Sequence, residues 1–92
     1  MTETLTPAAD AFFVVAEVIH GPHLAPRVDG NVYCSPECAA HGVRELVNDL
    51  REEEGGSGLV LPHRGRLTGC VVTPSSRMWA VSILAHSELP AV

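Results

Sequence analysis

Ninety-two residues with six arginines, no lysine and eleven acids give a formal charge of −5. A chain of this size holds one core, its 46% hydrophobic content excludes a disordered polymer, and no apolar run approaches the ~20 residues of a membrane-spanning helix. Net acidity also opposes duplex-DNA binding, in which phosphate neutralisation supplies most non-specific affinity.

Residues 1–10 mix Thr, Pro, Ala and acids without periodicity and read as a flexible leader, so that 11–92 form the single domain. Met1-Thr2-Glu3-Thr4 lacks the basic start of a signal peptide, and the expected location is cytoplasmic. Ala11–Ile19 is nearly continuous apolar sequence, rich in Phe and Val, which predicts a strand covered on most of both faces. His20–Asn31 carries two glycines, two prolines and Asp29, and predicts a loop or an irregular hairpin. Val32 and Tyr33 are strand formers and predict a brief strand.

The helix is predicted over Pro36–Glu54. Ser35 can cap it, Pro36 suits the first helical position, and Glu37 suits the positive end of the dipole. Ala39, Val43, Leu46, Val47 and Leu50 recur at spacings of three and four and form one apolar stripe. Gly55-Gly56 ends it. Three strands are then expected at Leu59–Leu61, Leu67–Thr73 and Arg77–Ala85, with turns at Pro62–Gly65 and Pro74-Ser75. The implied class is α+β, a small antiparallel sheet with one main helix packed on it.

Charge is uneven along the chain. Residues 1–54 hold ten acids against three arginines, and residues 55–92 hold one acid against three arginines. Arg64, Arg66 and Arg77 therefore offer the only local basic surface; the plainer reading is three solvated arginines at turns and strand ends.

Chemistry concentrates in His20-Gly-Pro-His23, followed after ten residues by Cys34-Ser-Pro-Glu-Cys38, with His41 one turn later. An odd count of three cysteines argues against a disulfide framework. Zinc takes four N or S ligands in a tetrahedron. A tight Gly-Pro turn lets His20 and His23 converge, while Cys34 and Cys38 open a helix, where its dipole favours negative charge. His41 is a substitute ligand. The competing reading makes Cys34 and Cys38 inert core thiols. Cys70, within a strand, reads as a core thiol, and His63 and His86 as exposed residues at strand ends.

Val32-Tyr-Cys-Ser-Pro-Glu-Cys38 resembles the second half of treble-clef zinc fingers of the MYND, TRASH and FCS-like type, in which an aromatic-Cys-Ser-x-x-Cys segment opens a helix. The resemblance covers residues 19–44. It implies that Cys34 and Cys38 are the second ligand pair, with His20 and His23 standing where those fingers carry two knuckle cysteines. Leu24 replaces the usual glycine, and the arginine-rich helix of small bacterial versions is absent. The resemblance implies a treble-clef-like zinc corner with a structural metal.

The expected function is a zinc-binding interaction module that takes a protein partner, with a homodimer among the candidates. Two alternatives are a thiol enzyme or redox protein using Cys34, with Cys38 as resolving partner, and a nucleic-acid-binding zinc finger. An enzyme is the lesser expectation, because no phosphate loop, nucleophile elbow or paired-carboxylate signature appears.

Overall fold

The computed structural model describes residues 11–88, and the expected leader at residues 1–10 lies outside them. The elements are β1 (Phe12–His20), β2 (Arg27–Val28), α1 (Pro36–Glu54), β3 (Ser57–His63), β4 (Arg66–Val72) and β5 (Met78–Ala85), followed by a short 3-10 turn at His86–Glu88. The strands form one antiparallel sheet in the order β2-β1-β5-β4-β3. The α+β class read from the sequence is what the chain adopts.

α1 begins and ends where its side chains dictate. Ser35 is extended, with φ −155°, and its Oγ accepts the Cys38 N–H at 3.1 Å, satisfying a donor that the first turn leaves free. Gly55 adopts φ 72° at the other end, and its N–H reaches Arg51 O at 2.8 Å. A residue bearing a Cβ resists that left-handed conformation. Between the caps, Ala39, Val43, Leu46, Val47 and Leu50 are buried against one face of the sheet.

That face is set by strand alternation. Val14 and Ala16 of β1, Val71 of β4, and Trp79, Val81 and Ile83 of β5 point toward the helix and are buried with its stripe. Gly69 sits where Val47 crosses β4; a Cβ there would lie 2.4 Å from Val47 Cγ2. The glycine lets helix and sheet approach.

Two local expectations shift. β3 runs through Pro62 to His63, and the turn narrows to Arg64-Gly65, both at positive φ (54° and 80°). This is the pairing that a two-residue hairpin needs to match strand twist. Pro62 is tolerated because β3 is an edge strand. The brief strand expected at Val32-Tyr33 reduces to one bridge, Phe12 to Tyr33, while Arg27–Val28 pairs with Ala16 and Val15 of β1.

Arg66 and Arg77 are half-buried, not solvated. Arg66 pairs with Glu88 at 2.6 Å and donates to Ile83 O at 3.1 Å. Arg77 pairs with Glu54 at 2.5 Å. Arg64 is exposed.

Candidate metal centre

The chain enters the candidate site from the Phe12–Tyr33 bridge, where each residue's N–H donates to the other's carbonyl at 2.9 Å. Tyr33 is held further by its hydroxyl, which donates to Asp29 Oδ2 at 2.5 Å. Cys34 follows, Ser35 caps α1, and Cys38 lies in the first turn. Both thiols are exposed, and their sulfurs are 3.8 Å apart. With zinc–sulfur bonds of ~2.3 Å, two corners of a tetrahedron stand about 3.8 Å apart, so the pair fits one edge of a zinc site. His41 is exposed three residues beyond Cys38. Residues three apart share a helical face, and helical side chains lean toward the N-terminus, which here means toward the thiols.

His20 and His23 are elsewhere. His20 ends β1 opposite Met78, whereas Tyr33 pairs with Phe12 at the start of that strand. Eight residues of strand separate those ends, about 26 Å at the usual rise. The loop after His20 is fixed to the same remote end: Arg77 Nε donates to Pro22 O at 2.7 Å, and the Arg77 guanidinium pairs with Glu54 in the last turn of α1. The histidine pair thus lies by the C-terminal end of the helix, and the cysteine pair opens its N-terminal end. Among the described residues, no group of three or more His, Cys, Asp or Glu side chains is gathered in reach of one metal ion. The set His20, His23, Cys34 and Cys38 is therefore not assembled; the cysteines come together and the histidines do not join them.

Cys70 is not the core thiol expected: it is half-buried on the sheet face opposite the helix, because its strand turns Gly69 and Val71 toward α1, while His63 and His86 are exposed as expected. A groove of about 390 Å³ opens beside β4 and β5 between His63, Arg66, Ser82 and Glu88, and the Arg66 charge within it is already met by Glu88. Sequence reading did not anticipate two polar clusters, Asp29–Tyr33 and Glu54–Arg77–Trp79. The partners of the second are over twenty residues apart, and no local pattern marks them.

Comparison with protein-family models, curated proteins and solved structures found no match. The treble-clef resemblance accordingly rests on Val32–Cys38 and its neighbours alone.

Proposed function

We propose that the protein is a small interaction module in which Cys34 and Cys38 supply two ligands of a structural zinc ion. The observation that carries this reading is the 3.8 Å separation of two exposed sulfurs at a capped helix start, the edge length of a zinc tetrahedron. His41 provides the third ligand by a rotamer change from the same helical face, leaving one corner for an external donor. His20 and His23 take no part. A protein partner suits the surface better than a nucleic acid does. Arg44 and Arg51 on the helix are outnumbered by Glu45, Asp49, Glu52, Glu53 and Glu54, and Arg66 and Arg77 are already neutralised by carboxylates.

Metal analysis of untagged, gently purified protein tests the reading. About one zinc per chain is expected in the wild type, in His20→Ala and in His23→Ala, with loss of the metal in Cys34→Ser and Cys38→Ser. Wild-type protein well below half a zinc per chain would overturn it, as would loss of the metal on removing His20.

The same sulfur separation favours one second reading, a redox dithiol. Rotation of two side chains brings sulfurs at 3.8 Å to the ~2.05 Å of a disulfide. Two protons and two electrons then leave to an oxidant. Metal-free protein that loses two hydrogens in mass under mild oxidant, and regains them with reductant, would support it.

A further inference from the structure

The sheet has a second face that α1 leaves open, met among the described residues by the His86–Glu88 turn at its Phe13 end. α1 packs against the side bearing Val14, Ala16, Trp79, Val81 and Ile83, so alternate residues project the other way. The register aligns them in rows: Val72 beside Met78, Leu59 beside Cys70 and Ala80, Leu61 beside Thr68, and Val28 beside Val15 and Ser82. Val28, Leu59, Leu61 and Val72 on this side are 61, 53, 58 and 44% exposed. Single exposed apolar side chains are ordinary, but a contiguous face of them is not.

From this face we infer that the protein forms a homodimer by packing two helix-free sheet faces together. The inference names the partner of the interaction module proposed above, and it rests on that reading only for the module's role, not for its metal. Three observations select a second copy of this chain.

The first is area. The exposed residues and the half-buried ones between them present on the order of 600 Å² of apolar surface, the upper end of what monomers leave uncovered. Two such faces bury about 1,200 Å² in total, where stable interfaces begin.

Charge is the second. The formally charged strand residues of the face are Glu17 and Arg66, with His20 and His63 at its margins, and Arg66 is held by Glu88, so it offers little net charge to a strongly acidic or basic partner. Six of the eleven acids, Glu37, Glu45, Asp49, Glu52, Glu53 and Glu54, lie on α1, in the other layer. Two copies meeting through their sheets keep those acids apart by more than a Debye length of about 8–10 Å. A twofold axis along β5 sets each β1 over the partner's β4, so Glu17, level with Ala80 and Cys70, comes over the partner's β4 and not over its own copy.

The third is the state of the edges. β2 is two residues long, and β3 carries Pro62, which lacks an N–H to donate. Both are devices that discourage edge-to-edge pairing. Face packing at about 10 Å, with strands crossing near −30°, is the arrangement left to such a sheet.

Sedimentation equilibrium of the full chain at about 50 µM tests the inference. The expected mass is twice the 9.8 kDa of one chain, which requires a dissociation constant well below about 50 µM. Leu61→Glu alters a mostly exposed side chain, so its circular dichroism and zinc content should match the wild type. Its self-association should weaken by about 30-fold or more. Cys70 lies within the face, and peptide mapping after alkylation should find it protected in the wild type and reactive in Leu61→Glu. A wild-type monomer overturns the inference whatever its zinc content. So does a dimer that survives Leu61→Glu with Cys70 still reactive. A dimer without zinc leaves this inference standing and removes the metal reading instead.

Discussion

Tyr33 is the single tyrosine of the chain, and its surroundings show how one side chain fixes the approach to α1. Its hydroxyl donates to Asp29, and that hydrogen bond, followed by burial, raises its pKa above the ordinary value. Gly42, on the buried side of the helix, leaves room for the pair; a Cβ there would stand 2.5 Å from the Tyr33 hydroxyl and 2.7 Å from Asp29 Oδ2. A raised folded-state pKa means that the neutral phenol is favoured. Its contribution to stability is complete below the unfolded value of about 10 and is lost as pH rises through the folded one. A tyrosinate absorbance titration should therefore place the folded midpoint above that of the unfolded chain. Tyr33→Phe should cost about 1–2 kcal/mol near neutral pH by thermal melting and abolish the alkaline loss. A midpoint equal to that of the unfolded chain would show that Asp29 does not hold the hydroxyl.

At the scale of elements, the C-terminal end of α1 carries a conflict that the sheet resolves. Glu52, Glu53 and Glu54 all face the negative end of the helix dipole. Glu53 is drawn to Arg27 of β2, and Glu54 accepts from both Arg77 and Trp79 Nε1, the latter at 3.0 Å. These contacts tie the helix to strands at both ends of the sequence. The Glu54–Arg77 pair is only 16 and 17% exposed, so truncating one partner strands a charge in a poorly solvated place. Glu54→Ala should destabilise the fold by about 3 kcal/mol in denaturant titration. It should also change the emission of Trp79, the only tryptophan. Loss of less than about 0.5 kcal/mol would place this pair with ordinary surface ion pairs.

For the whole molecule, the candidate metal centre and the core are separable. The core lies between helix and sheet and needs no thiol: Leu50, Val14, Val43, Val71 and Trp79 are essentially inaccessible, while Cys34 and Cys38 are exposed at one rim. Metal removal should consequently leave the domain folded, unlike small zinc fingers in which binding free energy is folding free energy. With the proposed zinc bound, a chelator should remove it and lower the melting temperature by only a few degrees, with the helical signal retained. Leu50→Ala, which opens a core cavity, should cost about 2–5 kcal/mol. Unfolding on chelation would mean that the thiol corner holds the fold together.

The sequence by itself determined what depends on neighbours in the chain. Ser35, Pro36 and Gly55 bound the helix at the residues expected, because caps and φ preferences act within one turn. The apolar stripe Ala39, Val43, Leu46, Val47 and Leu50 identified the helix's share of the core, since burial follows period. Tertiary structure decided the site. Only ten residues lie between His23 and Cys34, close enough in sequence to suggest one metal. The chain uses those residues to run back along β1, pairing Arg27 and Val28 with Ala16 and Val15 and then Tyr33 with Phe12, and so carries the cysteines to the opposite end of the strand. Strand register is a long-range property, set by which faces bury apolar surface against α1, and spacing along the chain does not encode it. The same pairing places β5 between β1 and β4 and leaves the helix-free face open; the apolar run at Ala11–Ile19 suggested cover on both faces, and only the assembled sheet showed one face left open with its apolar rows side by side.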